Sequence, residues 1–428
     1  MKKVGLISLG CAKNLVDSEN ILGLLKKHYQ IVNTIDDSDI IVVNTCGFIT
    51  SSKKESIETI LEAISHGKKV VVTGCLVERY YEELKKEIPE VDSFIPIRKY
   101  DTFLEEFSKA DDELKVTGGV SDQYRMISTG PFSCYLKIGE GCSNHCSYCA
   151  IPLIRGEFKS RPFDYIIEEA KNLANVGIKE IIVLQQDTTK YGVDLSHNEN
   201  IVDLLKELLK IKEFDYIRLL YLYPDEITDE LIELIGKEER LTPYFDIPIQ
   251  HSEDHILKDM NRRGDKAFLK QLFNKIRDKV PHAVLRTTVM VGFPGETDED
   301  FNNLKDFISE IGFDHLGVFT YSREENTPSY DYPNQIDEDI KEKRKDDLMR
   351  LQQSISYRKN KTHVGETMTG LVIGKENDLY LLRSYWNAPD DVDGKIYFKS
   401  KNGLQLGQKV NVKINEAFVY DLMGEEIN

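Results

Sequence analysis

The first hundred residues alternate between short β-branched runs and amphipathic stretches, and this alternation restricts the fold more than any other feature. VGLISL is followed by SENILGLLKKHY, DIIVVNT by KKESIETILEAI, and KKVVVTG by VERYYEELKKEI. The runs are continuous and apolar, as strands buried on both faces of a parallel sheet must be. The stretches between them carry apolar residues at three- and four-residue spacing, which predicts helices, with Ser18 and Ser52 as expected caps. Each run ends in a cysteine: LGC at Cys11, NTC at Cys46 and TGC at Cys75. Ligands of open parallel sheets gather beyond the carboxyl ends of the strands, so three thiols delivered to that edge can converge on one point. Three inert buried cysteines are the alternative, because cysteine is among the most buried residue types. Inert thiols, however, would fall anywhere along a strand and not each time after its last residue. Three thiolates with no evident fourth ligand suit an iron–sulfur cluster with one open iron, or an open zinc site.

Composition narrows the class. With 428 residues, 40% of them hydrophobic and 30% charged, the chain has material for two to three globular domains. No apolar run approaches the ~18 residues that span a bilayer. The apolar run at residues 4–9 is shorter than the ~7–15 residues of a signal peptide, and the residues after Cys11 continue as an amphipathic helix. A cytoplasmic protein with no membrane partner is therefore expected. The formal net charge of −17 argues against broad nucleic-acid binding, so no strong RNA binding is expected. Seven cysteines, an odd number in a large chain without a secretion signal, point to metal binding or catalysis and not to disulfides.

The tightest cluster lies in YLKIGEGCSNHCSYCAIPLIRGEFKSRP, where Cys142, Cys146 and Cys149 follow a strand with the spacing C-x3-C-x2-C. So short a loop can wrap three thiolates around one metal centre and leave a coordination position open. Structural zinc sites are closed by four ligands, often from paired C-x2-C knuckles, and no second pair follows here. His145 is a poor fourth ligand, because it sits between two others. The spacing resembles the signature of the radical S-adenosylmethionine (radical SAM) enzymes. That resemblance implies that the three cysteines hold a [4Fe–4S] cluster whose fourth iron chelates S-adenosylmethionine (SAM), with Tyr148 lining the adenine. Arg155, Ser160 and Arg161 follow closely and are candidates for the cofactor carboxylate or ribose.

Beyond the motif, KEIIVLQQDTTKYG, FDYIRLLYLYP, YFDIPIQHSED, AVLRTTVMVGFPGET and HLGVFTYSREENTP each read as a strand running into a polar loop. With CYLKIGEG they make six βα units, as in a partial (β/α) barrel, whose active-site residues sit at strand C-terminal ends. Candidates there are Gln186, Asp187, Gln250, Arg286 and the GFPGET loop. His251 and His255, four apart, share one helical turn on this reading and lack an acidic partner, so they are pocket or surface residues. Cys134 lies within an apolar strand and is expected to be inert. QIDEDIKEKRKDDLMRLQQSISYRKNK reads as a helical connector with a solvated, charged face. The final segment switches to short strands punctuated by Gly, Asn and Asp, a small all-β barrel. Its seven Lys/Arg against ten Asp/Glu give 7 − 10 = −3, which favours a basic protein partner over RNA.

Taken together, GCAKNLVDSE, VNTCGFI, VTGCL, GCSNHCSYC, PLIRGEFKSRP, IPIQHS, VGFPGET and YSREENTP resemble the methylthiotransferase family over almost the full length. The resemblance implies an α/β chain in four parts. These are an N-terminal parallel α/β domain (1–125), a radical SAM partial barrel (128–335), a helical connector (336–361) and a TRAM β-barrel (362–428). It further implies a second [4Fe–4S] cluster at Cys11, Cys46 and Cys75 that carries the sulfur to be transferred. SLGCAKNLVDSE and RSYWNAPDDVDG resemble the branch that methylthiolates the β-carbon of an aspartate in small-subunit ribosomal protein twelve, free or within the ribosome. An electron donor and a sulfide or other sulfur donor are then required. The same chemistry on a tRNA adenosine, and a non-catalytic metal-binding RNA or ribosome-assembly module, are the alternatives.

Overall fold

The computed structural model describes residues 1–121, 125–197, 199–389 and 392–427, which fall into two compact units. Met1–Ser128, Tyr135–Arg161 and Ser322–Tyr330 form the first; Thr129–Cys134, Pro162–Tyr321 and Asp331–Asn428 form the second.

The first unit is built on a parallel sheet of β1 (Lys3–Ser8), β2 (Gln30–Ile31), β3 (Ile40–Thr45), β4 (Lys69–Gly74) and β5 (Ser93–Ile95), in the order β2-β1-β3-β4-β5. Helices α1 (Ala12–Leu25), α2 (Thr50–Ser65), α3 (Cys75–Arg79), α4 (Tyr81–Glu87) and α5 (Phe103–Phe107) cover it. Alternate residues of the central strands feed different cores. Val42 and Val71 pack with Ile21, Leu25, Phe103 and Phe107, whereas Ile41, Val43, Val70 and Val72 pack with Ile60, Ala63 and Leu76. Burial on both faces explains the unbroken apolar runs. The strand order reverses between β1 and β3, so a switch-point crevice opens at their carboxyl ends, where Cys11 and Cys46 stand.

Neither expected cap holds. The first helix starts at Ala12 with Cys11 as its N-cap, and Ser18 is buried inside it, donating to Ser8 Oγ at 2.8 Å and accepting from Asn44 Nδ2 at 2.8 Å. Ile49 caps α2, which places Ser52 in its first turn. Local capping chemistry favours both serines, but tertiary hydrogen bonds near the crevice decide where α1 begins.

Strand β6 (Ser133–Lys137) carries the chain across the division between the units. In the first unit there follow β7 (Gly139–Glu140), helix α6 (Ile151–Arg155) and β8 (Lys159–Ser160). The second unit holds β9 (Glu180–Leu184), β10 (Tyr216–Leu219), β11 (Tyr244–Asp246), β12 (Val284–Val291) and β13 (His315–Thr320). Parallel pairing joins β9 to β10, and β12 to both β11 and β13. Helices α7 (Phe163–Asn175), α8 (Ile201–Leu208), α9 (Asp229–Lys237), α10 (Asp254–Asp259), α11 (Lys266–Lys279) and α12 (Asp298–Ile311) alternate with these strands, as the sequence predicts. Helix α13 (Glu338–Thr362) leads to a closed barrel of β14 (Thr367–Glu376), β15 (Leu379–Arg383), β16 (Ile396–Lys399), β17 (Lys409–Ala417) and β18 (Leu422–Ile427), ordered β14-β15-β16-β18-β17. No helix among the described residues is long and apolar enough to cross a membrane.

One feature of the second unit departs from expectation. The charged α13 is not merely solvated: Lys341, Arg344, Leu348, Gln352, Ile355, Ser356 and Asn360 form a buried stripe. Most of that stripe is polar; Arg344 pairs with the carboxylates of Glu296 and Asp298, and several other members donate to carbonyl groups. Lys341 Nζ donates to Tyr321 O at 3.1 Å, Gln352 Nε2 to Phe313 O at 2.9 Å and Asn360 Nδ2 to Phe418 O at 3.2 Å. A polar buried face is invisible to a reading that equates charge with solvent.

The sequence carried no signal for the seat of RSYWNAPDDVDG, whose Asp390 and Asp391 lie outside the described residues. Its described part seats on the N-terminal ends of the barrel strands. Arg218 Nη2 donates to Ser384 O at 2.7 Å, His315 Nε2 meets Trp386 O at 2.9 Å, and Tyr244 donates to Asp393 Oδ2 at 2.6 Å. Arg286 joins Asp246 at 2.8 Å and Asp393 at 3.5 Å. That face of a barrel serves stability. Trp386, the only tryptophan, is 1% exposed there. Asp393→Ala leaves the Tyr244 hydroxyl and the Ala388 N–H without their buried acceptor and removes one of the two carboxylates beside Arg286. It is expected to cost about 3–5 kcal/mol in urea unfolding and to red-shift the Trp386 emission.

Candidate functional site

At the carboxyl edge of the first unit's sheet, a few polar side chains hold the strand ends together. Asn14 Nδ2 donates to Leu9 O and to Thr45 O, both at 3.0 Å, and so ties the end of β1 to the end of β3. Asn44 Nδ2 returns a bond to Asn14 O at 2.9 Å. Ser56 of α2 clamps Cys46, accepting from its N–H at 3.0 Å and donating to its carbonyl at 2.9 Å. Two glycines make room. Gly10 has φ +88°, and a Cβ there would lie 2.9 Å from Cys46 Cβ and 3.1 Å from Cys46 Sγ. Gly74 has φ +96°, and its Cβ would lie 2.2 Å from Asn44 Oδ1. Only glycine combines these conformations with such close approach.

The result brings Cys11, Cys46 and Cys75 together. Cys11 is exposed, whereas Cys46 and Cys75 are buried. Burial pushes the Cys46 thiol up, and charge on Cys11 pushes it further. Burial also pushes Cys75 up to about 11, with Arg155 opposing and Cys11 and Cys46 reinforcing the rise. Cys46 and Cys75, raised chiefly by burial, resist deprotonation, and metal charge offsets that resistance. No group of three or more His, Cys, Asp or Glu side chains among the described residues is arranged to hold a single metal ion. The all-sulfur donor set and the glycine-lined approach fit an iron–sulfur cluster.

Cys142, Cys146 and Cys149 belong to the same unit. Their loop is closed by the antiparallel ribbon of β7 and β8 and by Cys142 N–H donating to Gly156 O at 3.1 Å. Within it, Cys149 N–H donates to Cys146 O at 3.0 Å, and Ile151 N–H reaches Cys149 Sγ at 3.5 Å, a contact suited to a thiolate. His145 lies 3.7 Å from Glu157, both well exposed, in keeping with a residue outside the ligand set. Tyr148 is half-buried at the turn before Cys149, and Ser160 is buried in the ribbon. Arg161 donates to Lys137 O. Arg155, expected beside the cofactor, instead lies in a buried network with Asp17, Glu140, Asn14 and Cys75. Cys134 is fully buried on β6.

Sequence reasoning overlooked Asn14 and Glu324. Glu324, its side chain 1% exposed, gathers Lys53 at 2.9 Å and Arg79 at 2.7 Å, and Arg79 also donates to Gly47 O beside Cys46. Its position in YSREENTP was the available signal.

The second unit holds the other candidates. Asp187 accepts from Thr189 Oγ1 at 2.8 Å beyond the end of β9, next to Gln186. Gln250, at φ +70°, bridges to β12: its N–H donates to Thr288 O at 2.9 Å and its carbonyl accepts from Met290 N–H at 2.7 Å. Arg286 is third in its strand, so it stands toward the N-terminal end with Asp246 and Asp393 and not at the C-terminal edge. In GFPGET, Glu296 accepts from Gly292 and Phe293 N–H groups and pairs with Arg344, while burial pushes its carboxyl up to about 7. His251 is in a loop and not on one helical turn with His255, and His255 does have an acidic neighbour, Asp300, at 3.3 Å.

Comparison with known proteins agrees with this layout. The radical SAM superfamily matches residues 136–308, the uncharacterized protein family UPF0004 residues 3–96 and the TRAM domain residues 364–427. The ribosomal protein uS12 methylthiotransferase RimO of Clostridioides difficile is 47% identical, covering 99% of each chain. That of Aquifex aeolicus is 46% identical over 99% of this chain and 97% of its own. Among solved structures, the radical SAM methyltransferase TsrM of Kitasatospora setae, with cobalamin and a [4Fe-4S] cluster bound, shares the fold. It matches at a TM-score of 0.57 and 14% identity, over 89% of this chain and 80% of its own.

Burial lowers the His251 pKa to about 3. The native ring therefore stays neutral, while the unfolded one takes a proton below about pH 6.5. Its stabilising contribution is complete above that pH and falls by about 1.4 kcal/mol per unit below it. Urea unfolding at pH 7.5 and 5.5 is expected to show a steeper loss in the parent than in His251→Gln; equal losses would contradict this.

Proposed function

We propose the function of this chain from one premise: it belongs to the RimO family of methylthiotransferases, within the radical SAM superfamily. Its substrate is ribosomal protein uS12, modified with a methylthio group on the β-carbon of an aspartate, with SAM and two [4Fe–4S] clusters as cofactors. The observation that carries the reading is the presence of two three-thiol sets in one unit, one at a sheet edge and one in a ribbon-closed loop.

On this reading Cys142, Cys146 and Cys149 hold one cluster and Cys11, Cys46 and Cys75 the other. When bound, the first supplies the electron that cleaves SAM to a 5′-deoxyadenosyl radical, and the second supplies the sulfur to be transferred. The chain's own work is placement. Gly10, Asn14 and Ser56 fix the strand ends that present Cys11 and Cys46, and the Ile151 N–H supports Cys149. Tyr148, Ser160 and Arg161 remain candidates for SAM in the first unit, Gln186 and Gln250 in the second. Residues 1–125, 128–335, 336–361 and 362–428 are the proposed domains, the last an acidic barrel suited to a basic ribosomal protein. An electron donor and a sulfur donor complete the system, and a cytoplasmic setting is proposed.

Mass analysis of small ribosomal subunits and bulk tRNA, each incubated anaerobically with reconstituted protein, reductant, SAM and sulfide, tests the substrate. A methylthio gain on a uS12 aspartate peptide is expected. Gain on a tRNA nucleoside alone would contradict it. Cys11→Ala is expected to lose the transfer while still forming 5′-deoxyadenosine.

A further inference from the structure

Arg155 ends α6, six residues after Cys149, yet its guanidinium turns to the other thiol set. Its side chain is 2% exposed. Nη1 pairs with Asp17 at 2.6 Å and with Glu140 at 3.2 Å, and Nη2 donates to Asn14 Oδ1 at 2.5 Å and to Cys75 Sγ at 3.4 Å. Lys137 closes the network, pairing with Asp17 at 2.5 Å and Glu140 at 3.0 Å. Two cations thus balance two carboxylates, and the fork of Arg155 is fixed from three sides. Around it, Ala150, which caps α6, and Ile154 within α6 pack on Cys75 itself. Asn14, the same residue that ties β1 to β3, holds the guanidinium in place. With its proton, the Cys75 thiol donates to Asn14 Oδ1 at 3.3 Å. A metal-bound Cys75 has no proton to give, so Asn14 Oδ1 then accepts from Arg155 alone, and the sulfur becomes an acceptor for the same guanidinium.

We infer that Arg155 is a positioning residue for the Cys11/Cys46/Cys75 centre, donating a charge-assisted hydrogen bond to the Cys75 sulfur and so setting that centre's reduction potential. The inference rests on the reading that these three cysteines hold an iron–sulfur centre. A donor and a fixed positive charge at a ligating sulfur favour the more negative, reduced state, so Arg155 holds the potential up. It also makes the loop that carries Cys142, Cys146 and Cys149 a structural support of the other set. The segment just after that loop thereby has a use independent of SAM.

The test uses the full chain with Cys142, Cys146 and Cys149 replaced by alanine, so that a single centre remains, loaded anaerobically and titrated electrochemically with EPR detection. Arg155→Gln removes the charge; Arg155→Lys keeps a cation for Asp17 and Glu140 but lacks the fork that reaches Cys75. Iron content and Trp386 emission report loading and folding. The expected result is an iron-loaded parent whose midpoint moves to more negative potential in Arg155→Gln and by a smaller amount in Arg155→Lys. If Arg155→Gln does not fold, the shift in Arg155→Lys alone decides. Loaded variants with an unmoved midpoint would overturn the inference and leave the two-centre reading standing. A parent that binds no iron would overturn that reading, and the inference with it.

Discussion

The side-chain amide of Asn14 is the bond on which the crevice depends. Its two N–H groups hold the carbonyls of Leu9 and Thr45, and its oxygen meets Arg155 and Cys75. One residue thus registers the ends of β1 and β3 and connects them to the residue that opens α3. A parallel sheet supplies an edge where chain ends gather, but it does not fix how far apart they stand. Here a side chain one turn into α1 does so. That explains why the helix starts directly at Ala12, with Cys11 as its cap, and why Gly10 and Gly74 must pass so close to neighbouring strands.

The strand ends, the alternating βα units and the closing β-barrel were legible in the sequence because each depends on local periodicity. Three cysteines following three apolar runs translated directly into three thiols at one edge. The losses came where tertiary hydrogen bonds overrode local chemistry. Ser18 has the composition of a cap but serves Asn44 and Ser8 from inside the helix. Arg155 has the position of a cofactor ligand in the sequence, yet its partners lie 138 and 141 residues away, at Asp17 and Asn14. Arg286 likewise reads as a strand-end candidate until its register shows it near the start of β12. Pattern locates such residues along the chain but not the direction in which a long side chain turns.

The second unit shows the same limit in its packing. The stripe along α13 is buried although most of its members are polar, because carbonyls from Tyr321, Phe313 and Phe418 are there to accept. The described residues of the 384–393 segment, rich in polar side chains, pack on the barrel strands, with Trp386 and Asp393 buried there. Polar burial of this sort adds specificity to a core, because a displaced seating would strand the donors that these carbonyls meet.

The most direct measurement is iron and sulfide content of the anaerobically reconstituted chain, beside two variants in which either Cys11/Cys46/Cys75 or Cys142/Cys146/Cys149 are alanine. Two four-iron clusters give about eight irons in the parent and about four in each variant. About four irons in the parent, all lost with one triplet and unchanged without the other, would contradict the two-centre account.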